Sequence, residues 1–380
     1  MAIPPPPPPP GAPQPNTQKT SDIIGSLRPI QRFKPHKPDA LVTSLDFDDT
    51  GEFLVATSTD DSLQLFNAKE GKLMKRIPSE KYGAHLARFT HHSSNIIYAT
   101  TKTDNRICYL DTHEAKFLYY FSGHTEPVTA LAVHPGEDKF ISCSLDDTVR
   151  LWNLKSKNPQ ARLNLATPHL AAFDPSGSVI AIASSSTSSI LLYDIRNFDK
   201  PPFATFDLRS LEQQQQPQSQ PNPDPTWTKL EFSNDGKWLL VASNAAHGHI
   251  LLDAFEGALK AFCTRSPNPN APFAPLRATP GTPLTLTLPA GQGDVCFSAD
   301  GRYLIGSAAT DRDAVVWDMQ ASVVRGAAGE GEKVLRPVAG LPSGRRTAVS
   351  EWNPRYNMLA TADRDVVFWL PDEHSGMKPP

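Results

Sequence analysis

Apolar and polar or small residues take turns along most of this chain, in short runs with the period-two signature of β-strands that have one face against a core. Seven such runs end alike. "LQLFN" closes at Asn67, "ICYLD" at Asp111, "RLWN" at Asn153, "ILLYD" at Asp194, "ILLD" at Asp253, "AVVWD" at Asp318 and "VVFWL" at Leu370. Successive ends lie 44, 42, 41, 59, 65 and 52 residues apart. Setting aside three inserted stretches returns the long intervals to roughly 40–45 residues, the period of a four-stranded propeller blade. The turns keep the same phase. "DDTGEF" (48–53), "DPSGSV" (174–179), "SNDGKW" (233–238) and "SADGRY" (298–303) each place Gly where a hairpin turn needs positive φ. An apolar pair and a run of small residues follow, as in "FLVATS" and "WLLVAS".

Seven repeats predict an all-β, seven-bladed β-propeller. The last unit supplies only three strands, so "RPIQRFKPH" (28–36), with alternating Ile30 and Phe33, is expected to add the fourth and close the ring. Residues 1–25 read as a disordered Pro-rich tail whose proline run from Pro4 to Pro10 suits a polyproline II rod, either solvated or docked in a partner's groove. The propeller is expected over 26–372, with loop insertions at about 210–225, 264–291 and 325–336 and a C-terminal tail over 373–380. These insertions hold a Gln-rich run, a Pro-broken run and a Gly-rich run, none of which suits a sheet ladder.

Repetition changes the meaning of the aspartates. In "SLDDTVRLWN" (144–153) Asp146 leads the turn of a blade's second hairpin, and Asp60, Asp104, Asp311 and Asp363 fall at the same place. Five acids at one repeat position read as turn-capping groups rather than five catalytic acids. His124, Ser142, Asp146 and Trp152 are expected to form one network. Its residue types mimic a hydrolase triad, but Ser142 lies inside a strand, which favours a structural role. On the innermost strands the residue before the last large apolar one reads Asp46, Arg88, Ala132, Ala172, Glu231, Cys296 and Glu351. In a closed ring Asp46, Arg88 and Glu351 come from adjacent blades. Arg88 is expected to pair with Asp46 or Glu351, as an inter-blade staple or as a ligand anchor in the channel.

Composition narrows the function. The chain has 380 residues with 37 basic and 40 acidic side chains, so no basic stripe marks a nucleic-acid binder. No apolar run approaches the roughly 20 residues that span a bilayer. Cys108, Cys143, Cys263 and Cys296 form no CxxC pair and sit in strand-like surroundings, as buried reduced thiols do. The start has neither the basic head nor the apolar stretch of a secretory signal, so an intracellular protein is expected. His91, His92 and His134 sit at turns without ligand spacing, and no phosphate-cradling loop is present; neither cofactor nor metal is expected. Lys81, Tyr82, His85 and His124, in loops entering inner strands, are the candidate partner-binding residues, although Tyr82 suits blade packing equally well.

The "GH" at 123–124 and the "WN" or "WD" at 152–153 and 317–318 are generic marks of a WD-repeat protein. More specific are "KYGAHLARFTHHSSNIIYATTKTDNRICYLDTHEAKFLYYFSGH" (81–124), "DIRNFDKPPFATF" (194–206), "LEFSNDGKWLLVASN" (230–244), "LLDAFEG" (251–257) and "FWLP" (368–371). With these the chain resembles the WD-repeat protein eighty-two family, called the Swd-two family in yeast, over roughly residues 28–372. The resemblance implies a nuclear, non-catalytic WD-repeat scaffold shared by two machines. One is the COMPASS (Set-one) complex that methylates lysine four of histone three. The other is the cleavage and polyadenylation factor with its phosphatase module, acting in mRNA 3′-end formation and transcription termination. The implied partners are protein subunits, including the methyltransferase N-terminal region and, indirectly, the RNA polymerase II C-terminal domain. Neither nucleic acid nor membrane is a direct partner. The Pro-rich head, the Gln-rich loop, the long loop before residue 292 and the missing aspartate turn in "NAAHGHILLD" (244–253) depart from the family pattern. A ubiquitin-ligase substrate receptor is the alternative that composition leaves open. A channel enzyme is disfavoured because neither metal ligands nor a phosphate loop are at hand.

Overall fold

In a computed structural model of the protein, the structure describes residues 20–184, 186–209, 211, 227–243, 248–265, 294–307, 313–321, 324–325, 333–342 and 347–372. Among these, seven antiparallel sheets form the blades of a β-propeller. Blade 1 runs through Val42–Phe47, Phe53–Ser58, Ser62–Asn67 and Lys72–Pro78, from channel to rim, and blades 2 to 6 repeat that order. The second strand of a blade is hydrogen-bonded on both edges and sandwiched on both faces by neighbouring blades. Phe53–Ser58, Lys139–Ser144, Val179–Ser184 and Trp238–Ser243 are accordingly buried at every position after the first. This explains why these strands read as near-continuous apolar and small residues rather than clean alternation.

The core is divided into seven clusters, one per junction between blades. Leu65, Phe89 and Tyr98 pack between blades 1 and 2, and Ile97, Phe121 and Trp152 between blades 2 and 3. Val149 and Leu151 face the other way, against Ile180 and Tyr193 of blade 4. One strand thus feeds two junctions through alternate side chains. The turn glycines Gly51, Gly177, Gly236 and Gly301 have φ between 67° and 72°. Gly51 is also required sterically: a Cβ there would lie 2.3 Å from Asn353 Oδ1, and Asn353 Nδ2 donates to the Gly51 carbonyl at 2.8 Å, tying blade 7 to blade 1.

Ring closure uses Leu27–Phe33, which pairs antiparallel with Val366–Pro371 from Leu27↔Pro371 to Phe33↔Val366, with a bulge between Pro29 and Gln31. Phe33 caps the seam, its ring centroid 4.8 Å from Phe66 of blade 1 and 5.4 Å from Phe368 of blade 7.

Two expectations need correction. The expected tail of residues 1–25 ends earlier, because Thr20–Gly25 is a helical turn whose Ile24 is 1% exposed, packed with Leu27, Leu341 and Trp369. Burial of Ile24 in the junction between blades 6 and 7 holds the turn against the ring. The expected insertion over 325–336 is in part sheet. Lys333–Leu335 adds a fifth strand, parallel to Leu259–Cys263, at the rim of blade 5, and Val324–Arg325 adds a sixth. Val334 and Leu335 bury their apolar side chains there. The proline run, the Gln-rich run, Asp311, residues 266–291 and the C-terminal tail lie outside the described residues.

Candidate functional site

The turn between Lys139–Ser144 and Thr148–Asn153 gathers His124, Ser142, Asp146 and Trp152. Trp152 Nε1 donates to Ser142 Oγ at 2.8 Å, and Ser142 Oγ lies 2.7 Å from His124 Nε2. His124 Nδ1 lies 2.9 Å from Asp146 Oδ2. With the serine oxygen accepting from the indole, its own hydrogen points to Nε2, which leaves the imidazole proton on Nδ1 for Asp146. Burial pushes His124 down in pKa, against the pull of Asp146. Asp146 further accepts from the amides of Thr125 at 3.1 Å and Thr148 at 3.0 Å. The bond order is that of a hydrolase triad, but Ser142 is 0% exposed and no substrate carbonyl can approach it.

Asp60 accepts from Ser58 and, at 2.6 Å, from Ser62, and pairs with Arg76 at 2.5 Å. Burial raises its carboxyl, but these bonds and the guanidinium outweigh it and hold the pKa below the ordinary value. Asp104 accepts from Thr100 at 2.8 Å and Arg106 Nε at 2.6 Å. Blade 7 differs. Its turn is only the three residues between Leu359–Ala362 and Val366–Pro371, so Asp365 carries the buried carboxylate, with Arg32 Nε of the closing strand at 3.9 Å. Asp363 is half-buried, and its carbonyl accepts from Val42 N at 2.6 Å.

The channel wall corrects the expected charge cluster. Arg88 forms no ion pair within 4 Å with Asp46 or Glu351; its Nη1 donates to the carbonyls of Leu45 at 3.1 Å and Ala87 at 3.2 Å. Asp46 instead accepts from Phe89 N at 2.6 Å, and Glu351 pairs at 2.9 Å with Lys229, which also stands 3.1 Å from Glu231. Burial pushes Asp46 up to about 7, with Arg88 opposing and Glu351 adding to the rise. Glu231 is pushed up to about 7 by burial, against Lys229. Burial alone would lower Lys229, but Asp294, Glu231 and Glu351 raise it well above its usual value. Lys229 and Asp294 lie two residues upstream of Glu231 and Cys296, on the same strand faces. Following the period-two pattern one step further along each inner strand would have found both.

The same strands reveal a ring of staples, in which a side chain of one blade bonds the main chain of the next. Asp46 takes Phe89 N, Thr129 Oγ1 donates to Pro168 O at 3.0 Å, and His169 Nε2 meets Trp227 O at 3.1 Å. Glu231 takes Phe297 N at 3.3 Å, and Asp294 takes Ser350 N at 2.9 Å. Between blades 2 and 3 the staple sits at the turn face, where His91 Nε2 meets His134 O at 2.9 Å.

Of the four candidate partner-binding residues, Lys81 is exposed and Tyr82 half-buried, with Lys81 Nζ 5.0 Å from the Tyr82 ring centroid. His85 and His124 are interior and present nothing to a partner. Burial pushes His85 down to about 3 and leaves its Nδ1 unbonded, while His124 is committed to Asp146 and Ser142. All four cysteines are free and buried, with Cys108 pushed up to about 11 and Cys263 to about 12 by burial. Among the described residues no group of three or more His, Cys, Asp or Glu is placed to hold a metal ion.

The sequence profile of the family described as WD domain, G-beta repeat matches residues 27–67, 115–153 and 286–318. Set1 complex component swd2 of Schizosaccharomyces pombe is 34% identical over 374 residues, covering 92% of this chain and 98% of the relative. COMPASS component SWD2 of Saccharomyces cerevisiae is 35% identical over 350 residues, covering 90% and 95%. WD repeat-containing protein 82 of Drosophila melanogaster is 35% identical over 336 residues, covering 88% and 92%.

Proposed function

The chain belongs to the WD-repeat family of swd2, SWD2 and WD repeat-containing protein 82, and on that premise we propose that it is a non-catalytic docking subunit of a Set1-type (COMPASS) histone methyltransferase complex. The observation that carries this reading is full-length similarity to relatives named as components of that complex. The geometry supports it. The turn aspartates, the His124 network and the inter-blade staples spend their polar groups on holding the ring together, which leaves its surfaces for other proteins to grip.

The same reading places the protein in the nucleus, on chromatin, in the service of methylation at lysine four of histone three. It extends to the mRNA cleavage and polyadenylation machinery as a second setting that shares this subunit. Affinity purification of the tagged chain from nuclear extract, with identification of what accompanies it, tests both settings. Methyltransferase subunits in the eluate are expected, and 3′-end-processing subunits support the second setting. A solitary protein, or one accompanied by a cullin-type ligase, overturns the reading.

A further inference from the structure

Each blade of a propeller ends in a rim strand whose outer edge has no partner within the blade, and such edges are normally blunted by brevity, charge, proline or a cover. Six of the seven rims here follow that rule. Ala161–Asn164, Ala204–Asp207 and Ala339–Pro342 have four residues each and expose Arg162, Asn164, Thr205, Asp207, Gly340 and Pro342. The closing strand exposes Arg28, Pro29 and Arg32. Lys72–Pro78 exposes Leu73 and Met74 but carries Lys72, Lys75 and Arg76 along its length. Blade 5 is covered by the chain's own Lys333–Leu335.

Blade 2 is the exception. Its rim strand Lys116–Phe121 contains no proline, has one charge, at its first residue, and exposes Phe117, Leu118 and Tyr120 at 37–39%. Phe117 lies opposite Leu110 and Tyr120 opposite Cys108, both members of the blade 1–2 core cluster, so both rings sit on the side that faces blade 1. They stack on each other with centroids 5.1 Å apart, and Arg106 lies over Tyr120 at 5.5 Å. Facing them, Lys75 of blade 1 crosses the groove to the carbonyls of Thr112 at 3.1 Å and His113 at 3.0 Å. Lys81 lies on the Tyr82 ring at the other end of the same junction. Among the described residues, neither ammonium has a carboxylate within ion-pair distance.

We propose that this edge docks an extended segment of a protein partner, added as a fifth strand to blade 2, with apolar residues at every second position and acidic residues that meet Lys75 and Lys81. The inference rests on the docking-subunit reading and names the surface it uses. Main-chain pairing to the free edge supplies affinity, the Phe117–Tyr120 stack supplies apolar anchoring, and the Lys75 and Lys81 ammonium groups, neither with a carboxylate partner among the described residues, select acidic neighbours. Blade 5 shows that this fold accepts such a strand, since the chain places one of its own there. The stretch 81–124, which carries much of the family resemblance, includes every residue of this surface except Lys75.

The test uses the full-length tagged chain with a photo-crosslinking phenylalanine analogue at Phe117 or Leu118, irradiated in cells and purified from nuclei. The expected adduct is one protein segment that alternates apolar and acidic residues. Phe117→Ser with Tyr120→Glu, and separately Lys75→Glu with Lys81→Glu, should each reduce recovery of the methyltransferase at least tenfold. Phe255→Ser, an exposed phenylalanine on blade 5, should leave recovery unchanged, and all variants should melt within a few degrees of wild type. Adducts only to nucleic acid or to a second copy of this chain would overturn the surface. So would unchanged methyltransferase recovery in both double variants, while leaving the subunit reading intact. Absence of methyltransferase from the wild-type eluate, with the segment adduct present, would overturn the subunit reading and leave the surface standing.

Discussion

Lys229 Nζ lies 2.9 Å from Glu351 Oε2, although 122 residues separate the two in sequence and a whole blade separates them around the ring. Lys229 projects from the inner strand of blade 5 and Glu351 from that of blade 7. Between them, blade 6 contributes Val295–Phe297 as its inner strand. Asp294, at the head of that strand, joins the same field. One ammonium therefore pairs with two carboxylates on the channel wall, Glu231 and Glu351, and feels the charge of a third, Asp294.

Lys229→Met is expected to destabilise the protein by roughly 3 kcal/mol at pH 8, because removing one partner of a largely desolvated pair strands the other charges. Glu351→Gln in the Lys229→Met background should recover part of the loss. Urea denaturation of the single and double variants measures both changes.

Asp46 gives a pH dependence with a definite sign. Its folded pKa is raised from 3.8 to about 7, so between those values the native state binds a proton that the unfolded state has released. Its contribution to stability is full below about pH 4 and is lost as the pH rises through 7. Asp46→Asn keeps an acceptor for Phe89 N and removes the titration. The variant should match wild type near pH 4 and exceed it in melting temperature increasingly from there to pH 8; differential scanning calorimetry across that range decides.

Ser142→Ala removes both the acceptor for Trp152 Nε1 and the donor to His124 Nε2 inside a 0%-exposed site. A cost of roughly 2 kcal/mol is expected, from two buried polar groups left without partners. Partner recovery should be unchanged at temperatures where the variant is folded, which separates this network from an active site.

Truncation through residue 37 removes Leu27–Phe33 and leaves Val366–Pro371 as an open edge. Loss of a cooperative thermal transition is expected. Phe33→Ala should cost roughly 2 kcal/mol and Ile24→Ala roughly 2–3 kcal/mol, because each empties a packed seam at the closure. Ile24 is the sharper test, since it lies before the closing strand.

Much of the fold was legible because blade-forming information is local and repeated. Strand alternation, the turn glycines and the distance between strand ends all act within about forty residues, so seven blades and their closure by residues near 30 could be counted. The four-residue network at Asp146 was legible for the same reason, its members lying within one blade and the loop that leads into it.

Which residues meet across the ring was not legible. The period-two rule puts Arg88 on the channel wall, but its reach to the carbonyls of Leu45 and Ala87 depends on how closely two inner strands pack. Lys229 belongs to Glu351 only because closure turns blade 5 toward blade 7. His85 and His124 occupy loop-like positions in sequence and are buried by neighbouring strands. Val334 and Leu335 found a strand to join at blade 5 because that edge was open and apolar surface gains by leaving water. The amino-acid sequence by itself determined the elements, their number and the turn chemistry, since these follow from backbone propensity and side-chain period. Only the tertiary structure decided charge partners, exposure and the unguarded rim of blade 2, because each depends on surfaces brought together from distant repeats.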